Sequence, residues 1–158
     1  MIRDLDPKDW PAVRTIFEEG IATGQATFET EAPSWEHWDG AHFGGLVAEE
    51  AGDVVGWAAL APYSSRPCYA GVAEESVYVA AHARGRGVGR ALLEALIDAS
   101  ERDGIWTLHA GVFPENRASV TLHLGCGFRS VGLHERIGRL NGEWRDVLLL
   151  ERRSEVIR

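Results

Sequence analysis

Lysine is almost missing from this chain: Lys8 is the only one among its 16 basic residues. That excludes a P-loop nucleotide site, whose lysine must sit inside the glycine loop. Cysteine is scarce as well. Cys68 and Cys126 stand alone, with no CxxC pair and no disulfide-rich spacing, so neither a redox motif nor a stapled scaffold is indicated. Cys68 also lacks a companion pattern that would mark a nucleophile. No apolar run approaches the length of a membrane span, and the opening MIRDLDPKDW has no apolar core of the secretory kind. The expectation is a cytoplasmic protein with no membrane partner. A net charge of −8 argues against a nucleic-acid partner, which needs an extended basic face. The histidines, at 37, 42, 82, 109, 123 and 134, show no HExxH or comparable ligand spacing, so no metal site is expected.

What is present reads as one mixed α/β domain over residues 1–158, long enough to bury a substantial core. IRDL suggests a first strand. Asp6 offers a helix cap, Pro7 suits the first helical position, and Trp10, Val13, Ile16 and Phe17 follow at helical spacing. Gly20 and Gly24 loosen its end, residues 25–33 read as extended and turn-like, and Ser34 is placed to cap a short helix through Trp35 and Trp38. LVAEE and VVGWAALAP around AGD predict a hairpin, PYSSRPCYAG a loop, and ESVYVA an alternating strand. A helix with Leu92, Leu93, Leu96 and Ile97 on one face should end near Gly104. Strand WTLHAGV and helix NRASVTLHLGCGF come next. Asn141-Gly142 marks a closing hairpin before WRDVLLLE.

One stretch stands apart. Residues 84–90, RGRGVGR, hold three glycines and three arginines between an apolar strand and a helix. Strand, glycine turn and helix N-terminus together suit an anion, because glycine allows close backbone approach and the first helical N–H groups lack partners. Arg84, Arg86 and Arg90 could add charge-assisted bonds or simply be solvated. A dinucleotide fingerprint fails, since Arg90 stands where GxGxxG read from Gly85 needs its third glycine. The residues alone leave two readings open, a phosphate cradle or a plain surface turn.

Arg84-x-x-Gly87-x-Gly89 resembles the [Q/R]-x-x-G-x-[G/A] loop of the GCN5-related N-acetyltransferases. AEESVYV before it, NRASVTLHLGCGF after it, GEWRDV near the end and ATFETEAPS near the start are similar to the phosphinothricin and methionine sulfoximine acetyltransferase branch. These segments keep the family's order and cover nearly the whole chain. The resemblance implies a mixed, mostly antiparallel sheet flanked by helices, and acetyl-CoA as cosubstrate. Its pyrophosphate would rest on Arg84, Gly85, Arg86, Gly87, Val88, Gly89 and Arg90. The backbones of Val77 and Val79 would hold the pantetheine arm, with the Val79 N–H aimed at the thioester oxygen, and Asn116 would bond the same arm. Glu74 matches the glutamate of V-E-x-[ST]-V-Y-V and would be the general base through a water. Glu75 falls at the variable position after it. His123, in LHxxxGF, would protonate the departing thiolate or help deprotonate the amine.

For the acceptor, the resemblance implies Phe28 and Glu29 on the substrate loop, with Arg66, Tyr69 and Tyr78 nearby. One departure matters: many members of the branch carry an arginine where this chain has Ala70, which removes a natural ligand for a carboxylate or phosphinate. The expected activity is acetyl transfer to a small amino acid or analogue of the phosphinothricin, methionine sulfoximine or methionine sulfone type. Another amine (a polyamine, an aminoglycoside or a protein N-terminus) and a non-catalytic CoA sensor are the alternatives. Trp144 would close the pocket, pack a dimer or pack across its hairpin. The resemblance also implies a homodimer. Without it, Glu74, Ser76 and Tyr78 would read as one ordinary solvated strand face, and His123 as a packed helix residue.

Overall fold

The computed structural model describes all residues 1–158. Its seven strands form one sheet: β1 (Ile2–Asp4), β2 (Phe43–Glu50), β3 (Asp53–Pro62), β4 (Val72–Val79), β5 (Thr107–Val112), β6 (Arg129–Leu140) and β7 (Glu143–Arg153). Their order across the sheet is β1-β2-β3-β4-β5-β7-β6. Every neighbouring pair is antiparallel except β4 with β5. The mixed, mostly antiparallel sheet expected from the sequence is therefore present. No helix is long and apolar enough to cross a membrane.

Four helices complete it: α1 (Trp10–Ala22), α2 (Trp35–Ala41), α3 (Val88–Arg102) and α4 (Arg117–Gly125). The chain enters α1 through a 3-10 turn at Pro7–Asp9. Asp6 accepts from the Lys8 N–H at 3.0 Å, while Asp9 accepts from the Asp6 N–H at 2.8 Å and from both Arg3 terminal nitrogens. Reciprocal capping of this kind satisfies N–H groups that a helix start leaves orphaned. Ser34 caps α2 as its sequence position suggests, accepting from His37. Asn141 and Gly142 both take positive φ, 50° and 82°, the conformation of a two-residue hairpin turn.

The helices divide between the two faces of the sheet. A Cβ added at Gly56 of β3 would meet Leu92 and Val88 of α3. The next residue, Trp57, points the opposite way and stacks on Phe17 of α1 at 5.8 Å. So α3 covers one face and α1 the other. Leu92, Leu93 and Leu96 are fully buried, each worth about 1.5–3 kcal/mol for leaving water. On the α1 side the core is aromatic: Phe17, Trp57 and Tyr78 pack mutually, with the Tyr78 ring 5.1 Å from Phe17 and 4.7 Å from Trp57.

Gly71 sets the approach of β5 to β4. Its carbonyl accepts from the N–H groups of both Trp106 (2.7 Å) and Thr107 (3.1 Å). Trp106 lies so close that a Cβ at position 71 would stand 2.0 Å from the indole ring. Gly71→Ala is therefore expected to cost about 3 kcal/mol through overpacking, read as a lowered urea midpoint. Gly40→Ala in α2, where an added Cβ meets nothing within 4 Å, should hold or slightly raise it. An unchanged midpoint for Gly71→Ala would contradict this packing.

Candidate functional site

Parallel pairing between β4 and β5 lasts three residues: Val72, Ala73 and Glu74 face Thr107, Leu108 and His109. Beyond Glu74 the strands part. β4 keeps its register with β3 up to Val79 opposite Gly56, and β5 stays with β7 up to Val112 opposite Leu148. The Gly71 carbonyl faces β5, whereas that of Val72 accepts from Tyr63 at the other edge. Strand alternation therefore turns the backbone groups of Glu75, Val77 and Val79 toward the gap, where β5 offers no partners. Unpaired strand backbone beside a cavity is a template for an extended ligand.

The gap holds a cavity of about 290 Å³. Sixteen residues line it, Phe28, Glu74, Glu75, Val77, Tyr78, Asn116 and His123 among them, and none is lysine or arginine. A second cavity, of about 220 Å³, shares Ala26, Val77, Tyr78 and Asn116 with the first and reaches Arg84. Together they form a channel from the glycine corner to Glu74.

Alternation also separates two adjacent carboxylates. Glu74 lies with Ser76 and Tyr78 on the face that α1 covers; it lines the cavity and is exposed. Glu75 points the other way, toward α4, and its side chain is 1% exposed. There it bonds through Oε1 to Nε2 of His123, whose own side chain is 5% exposed. The other ring nitrogen, Nδ1, stands 2.6 Å from the Ser119 carbonyl one helical turn back. Burial works to lower the His123 pKa, but the bond and charge of Glu75, with the Ser119 carbonyl, outweigh it. The imidazole titrates above its ordinary range.

At the glycine corner, Gly85 and Gly87 take positive φ of 77° and 85°, and a Cβ at either would meet nothing within 4 Å. Gly87 is the N-cap of α3, and no side chain caps that end. The first helical bond runs from Ala91 to Gly87, so the N–H groups of Val88, Gly89 and Arg90 have no helical acceptor. The arginines are less free than the sequence suggested. Arg84 donates through Nε to the Val79 carbonyl at 3.2 Å, Arg86 pairs with Glu50 at 2.9 Å, and Arg90 pairs with Glu94 at 2.8 Å.

Asn116 caps α4, accepting from Ser119 at 3.2 Å, and its amide donates to the Gln25 carbonyl. On the α1 side Phe28 meets Phe113 edge-on at 5.0 Å. Burial pushes the pKa of the Tyr78 hydroxyl up to about 12, so this phenol stays protonated. Glu29, Arg66 and Tyr69 line neither cavity. Arg66 instead lies 5.5 Å over the Tyr69 ring, on the loop before β4. Trp144 is exposed and lies beneath the guanidinium of its cross-strand partner Arg139, 4.3 Å away.

Two contributors had no clear sequence signal. Glu75 sits at a position the resemblance treats as variable. Arg145 of β7 lies 4.0 Å over Phe113 and donates to the Gly24 carbonyl (2.9 Å) and to Gln25 (2.8 Å). It thereby ties the segment before Phe28 to the cavity wall, across more than a hundred residues of sequence that no local pattern spans.

Comparison with known proteins agrees with this geometry. Residues 3–128 match the acetyltransferase (GNAT) family. The chain is 40% identical over 103 residues to a phosphinothricin N-acetyltransferase of Streptomyces coelicolor, covering 65% of this chain but only 60% of that protein. It is 36% identical over 160 residues to the phosphinothricin N-acetyltransferase of Alcaligenes faecalis, covering 96% of this chain and 81% of that one. A GNAT superfamily phosphinothricin acetyltransferase from Sinorhizobium meliloti, solved in complex with acetyl-CoA, superposes with a TM-score of 0.86 at 27% identity. That superposition covers 99% of this chain and 94% of the other. Since the family match takes in the strand gap, the glycine corner and α4 together, this chain belongs to the GNAT family of acetyltransferases.

Proposed function

We propose that the chain transfers the acetyl group of acetyl-CoA to the amino group of a small amino acid or analogue, of the phosphinothricin, methionine sulfoximine or methionine sulfone type. The observation that carries this is the opened β4–β5 pair, whose unpaired backbone lines a channel ending at the glycine corner. The residues suit the cosubstrate: Val77 and Val79 offer strand backbone to an amide-bearing arm, and Asn116 lies between the two cavities. Gly85 to Arg90 would receive the pyrophosphate mainly through backbone N–H groups, since the three arginines already have protein partners. Acetyl-CoA would supply an activated acyl group on a thiol leaving group. The Val79 N–H would stabilise the charge growing on the thioester oxygen, a contribution of about 3–4 kcal/mol for a well-placed donor.

Glu74, on the α1 face, would take a proton from the acceptor amine through a water. His123, on the α4 face, would provide the proton that the departing sulfur needs. Phe28 would pack against the acceptor, held by the segment that Arg145 anchors. The exposed apolar residues Val131, Leu133 and Ile137 on β6 support the homodimer implied by the resemblance. A second acceptor reading has one observation in its favour. Two carboxylates and no lysine or arginine line the main cavity, which suits a polyamine better than an amine carrying its own carboxylate.

Thiol release from acetyl-CoA, measured across phosphinothricin, methionine sulfoximine, methionine sulfone and a polyamine, tests both. Turnover confined to the amino-acid analogues supports the first reading, and turnover confined to the polyamine supports the second. Glu74→Gln should lower kcat/KM on the order of 10²-fold near neutral pH. The deficit should shrink as pH rises and the amine becomes neutral unaided. Full activity for Glu74→Gln at every pH would remove Glu74 as the base. Gly87→Val should weaken CoA binding roughly tenfold or more by filling the open space at the backbone and straining a left-handed φ. Unchanged CoA affinity would overturn the cradle.

A further inference from the structure

Gly138 on β6 is the cross-strand partner of Arg145 on β7, and neither residue lines the main cavity. The two nevertheless meet one segment of chain that does. Arg145, with a largely buried side chain, donates to the Gly24 carbonyl at 2.9 Å and to the Gln25 side chain at 2.8 Å. Three residues on, the Phe28 ring reaches β6 tip first. A Cβ added at Gly138 would stand 2.8 Å from its Cζ, 2.9 Å from Cε1 and 3.3 Å from Cε2. Facing residues of antiparallel strands lie only about 4.5–5.5 Å apart. One pair therefore takes both the root and the tip of this segment.

Glycine at 138 answers a need for space rather than for an unusual backbone. Its φ is not positive, whereas Arg136, two residues earlier, takes φ 46°. The β6–β7 register shifts there, between His134 and Gly138, and the Arg136 N–H donates to the Asp146 carboxylate at 2.7 Å. Irregularities of this kind re-aim a strand, and this one brings Gly138 opposite Arg145. With its tip on Gly138, the Phe28 ring meets the edge of Phe113 at 5.0 Å and walls the cavity that also holds Glu74.

We propose that Gly138 and Arg145 set the length of acceptor that the cavity takes, by fixing where the Phe28 ring stands. The inference rests on the acetyl-transfer reading above and assigns specificity to two residues outside the cavity lining. Arg145 ties the root, while Asn116 holds the Gln25 carbonyl at 3.2 Å. Gly138 lets the tip lie against bare backbone. A methyl group there would need ordinary contact of about 3.5–4.0 Å, which drives the tip roughly 1 Å from β6. With the root tied and Phe113 beside it, the ring moves into the cavity and shortens it. Loss of Arg145 frees the root instead, and the wall loosens for every acceptor alike.

kcat/KM for acceptors one methylene shorter and longer than the amine that turns over tests this. S-methylcysteine sulfone and ethionine sulfone bracket methionine sulfone; diaminopropane and cadaverine bracket putrescine. Relative to wild type, Gly138→Ala should favour shorter over longer by about tenfold per methylene, with KM for acetyl-CoA within about twofold. Phe28→Leu should shift the preference toward the longer member, and it carries the comparison if Gly138→Ala fails to fold. The double variant should behave as Phe28→Leu alone, because the added methyl then meets no ring. Arg145→Gln should raise the acceptor KM for all members without reordering them. An unchanged length preference in Gly138→Ala or Phe28→Leu, or effects that simply add in the double variant, overturns the inference alone. A wild type that binds acetyl-CoA yet acetylates no amine overturns the acetyl-transfer reading and this inference with it.

Discussion

The parting of β4 from β5 after Glu74 and His109 is the constraint on which the rest of the site depends. It is affordable because each strand keeps its other neighbour: β4 runs on beside β3 and β5 beside β7. Only the two facing edges lose partners, and they lose them beside a cavity rather than in a sealed core, where unpaired backbone would be costly. The contact that closes the narrow end is equally specific. Gly71 accepts two N–H groups and lies against the Trp106 ring, so the strands meet there and diverge immediately above.

From that opening, strand alternation does the chemical sorting. Adjacent residues of β4 point to opposite faces, so the consecutive pair Glu74-Glu75 becomes two groups in different surroundings. Glu74 is open and lies on the aromatic side with Tyr78. Glu75 is buried and bonded to His123 of α4. Removal of a proton from an incoming amine and delivery of one to a departing sulfur are opposite tasks, and the sheet keeps the groups proposed for them on separate sides. The glycine corner lies at the far end of the same channel, at the uncapped start of α3.

Much of this was legible in local sequence. Asp6-Pro7, Ser34, Asn116 and Asn141-Gly142 each set a cap or turn by short-range chemistry, and each is found in that role. The leucine stripe of α3 likewise fixed its buried face. What escaped was long-range. Alternation separates Glu74 from Glu75 but does not say which is buried; that depends on α4 bringing His123 to one face, and carboxylates are seldom buried without such a partner. The corner arginines looked available for an anion because Glu50 and the Val79 carbonyl are remote or invisible in a linear pattern. Glu94, four residues after Arg90, was the one partner that helical spacing could have supplied. β7 inserts between β5 and β6, a placement that brings Arg145 to the loop before Phe28 and that no hairpin signal specifies.

Amide hydrogen exchange at Val77 and Val79, with and without coenzyme A, tests most directly whether the opened strand edge receives the donor. Both N–H groups face the gap, so binding should slow their exchange by roughly tenfold or more, while Ala58, which faces Val77 across the β3–β4 pairing, stays unchanged. Saturating coenzyme A that leaves Val77 and Val79 exchanging as in the free protein would contradict the account at its centre.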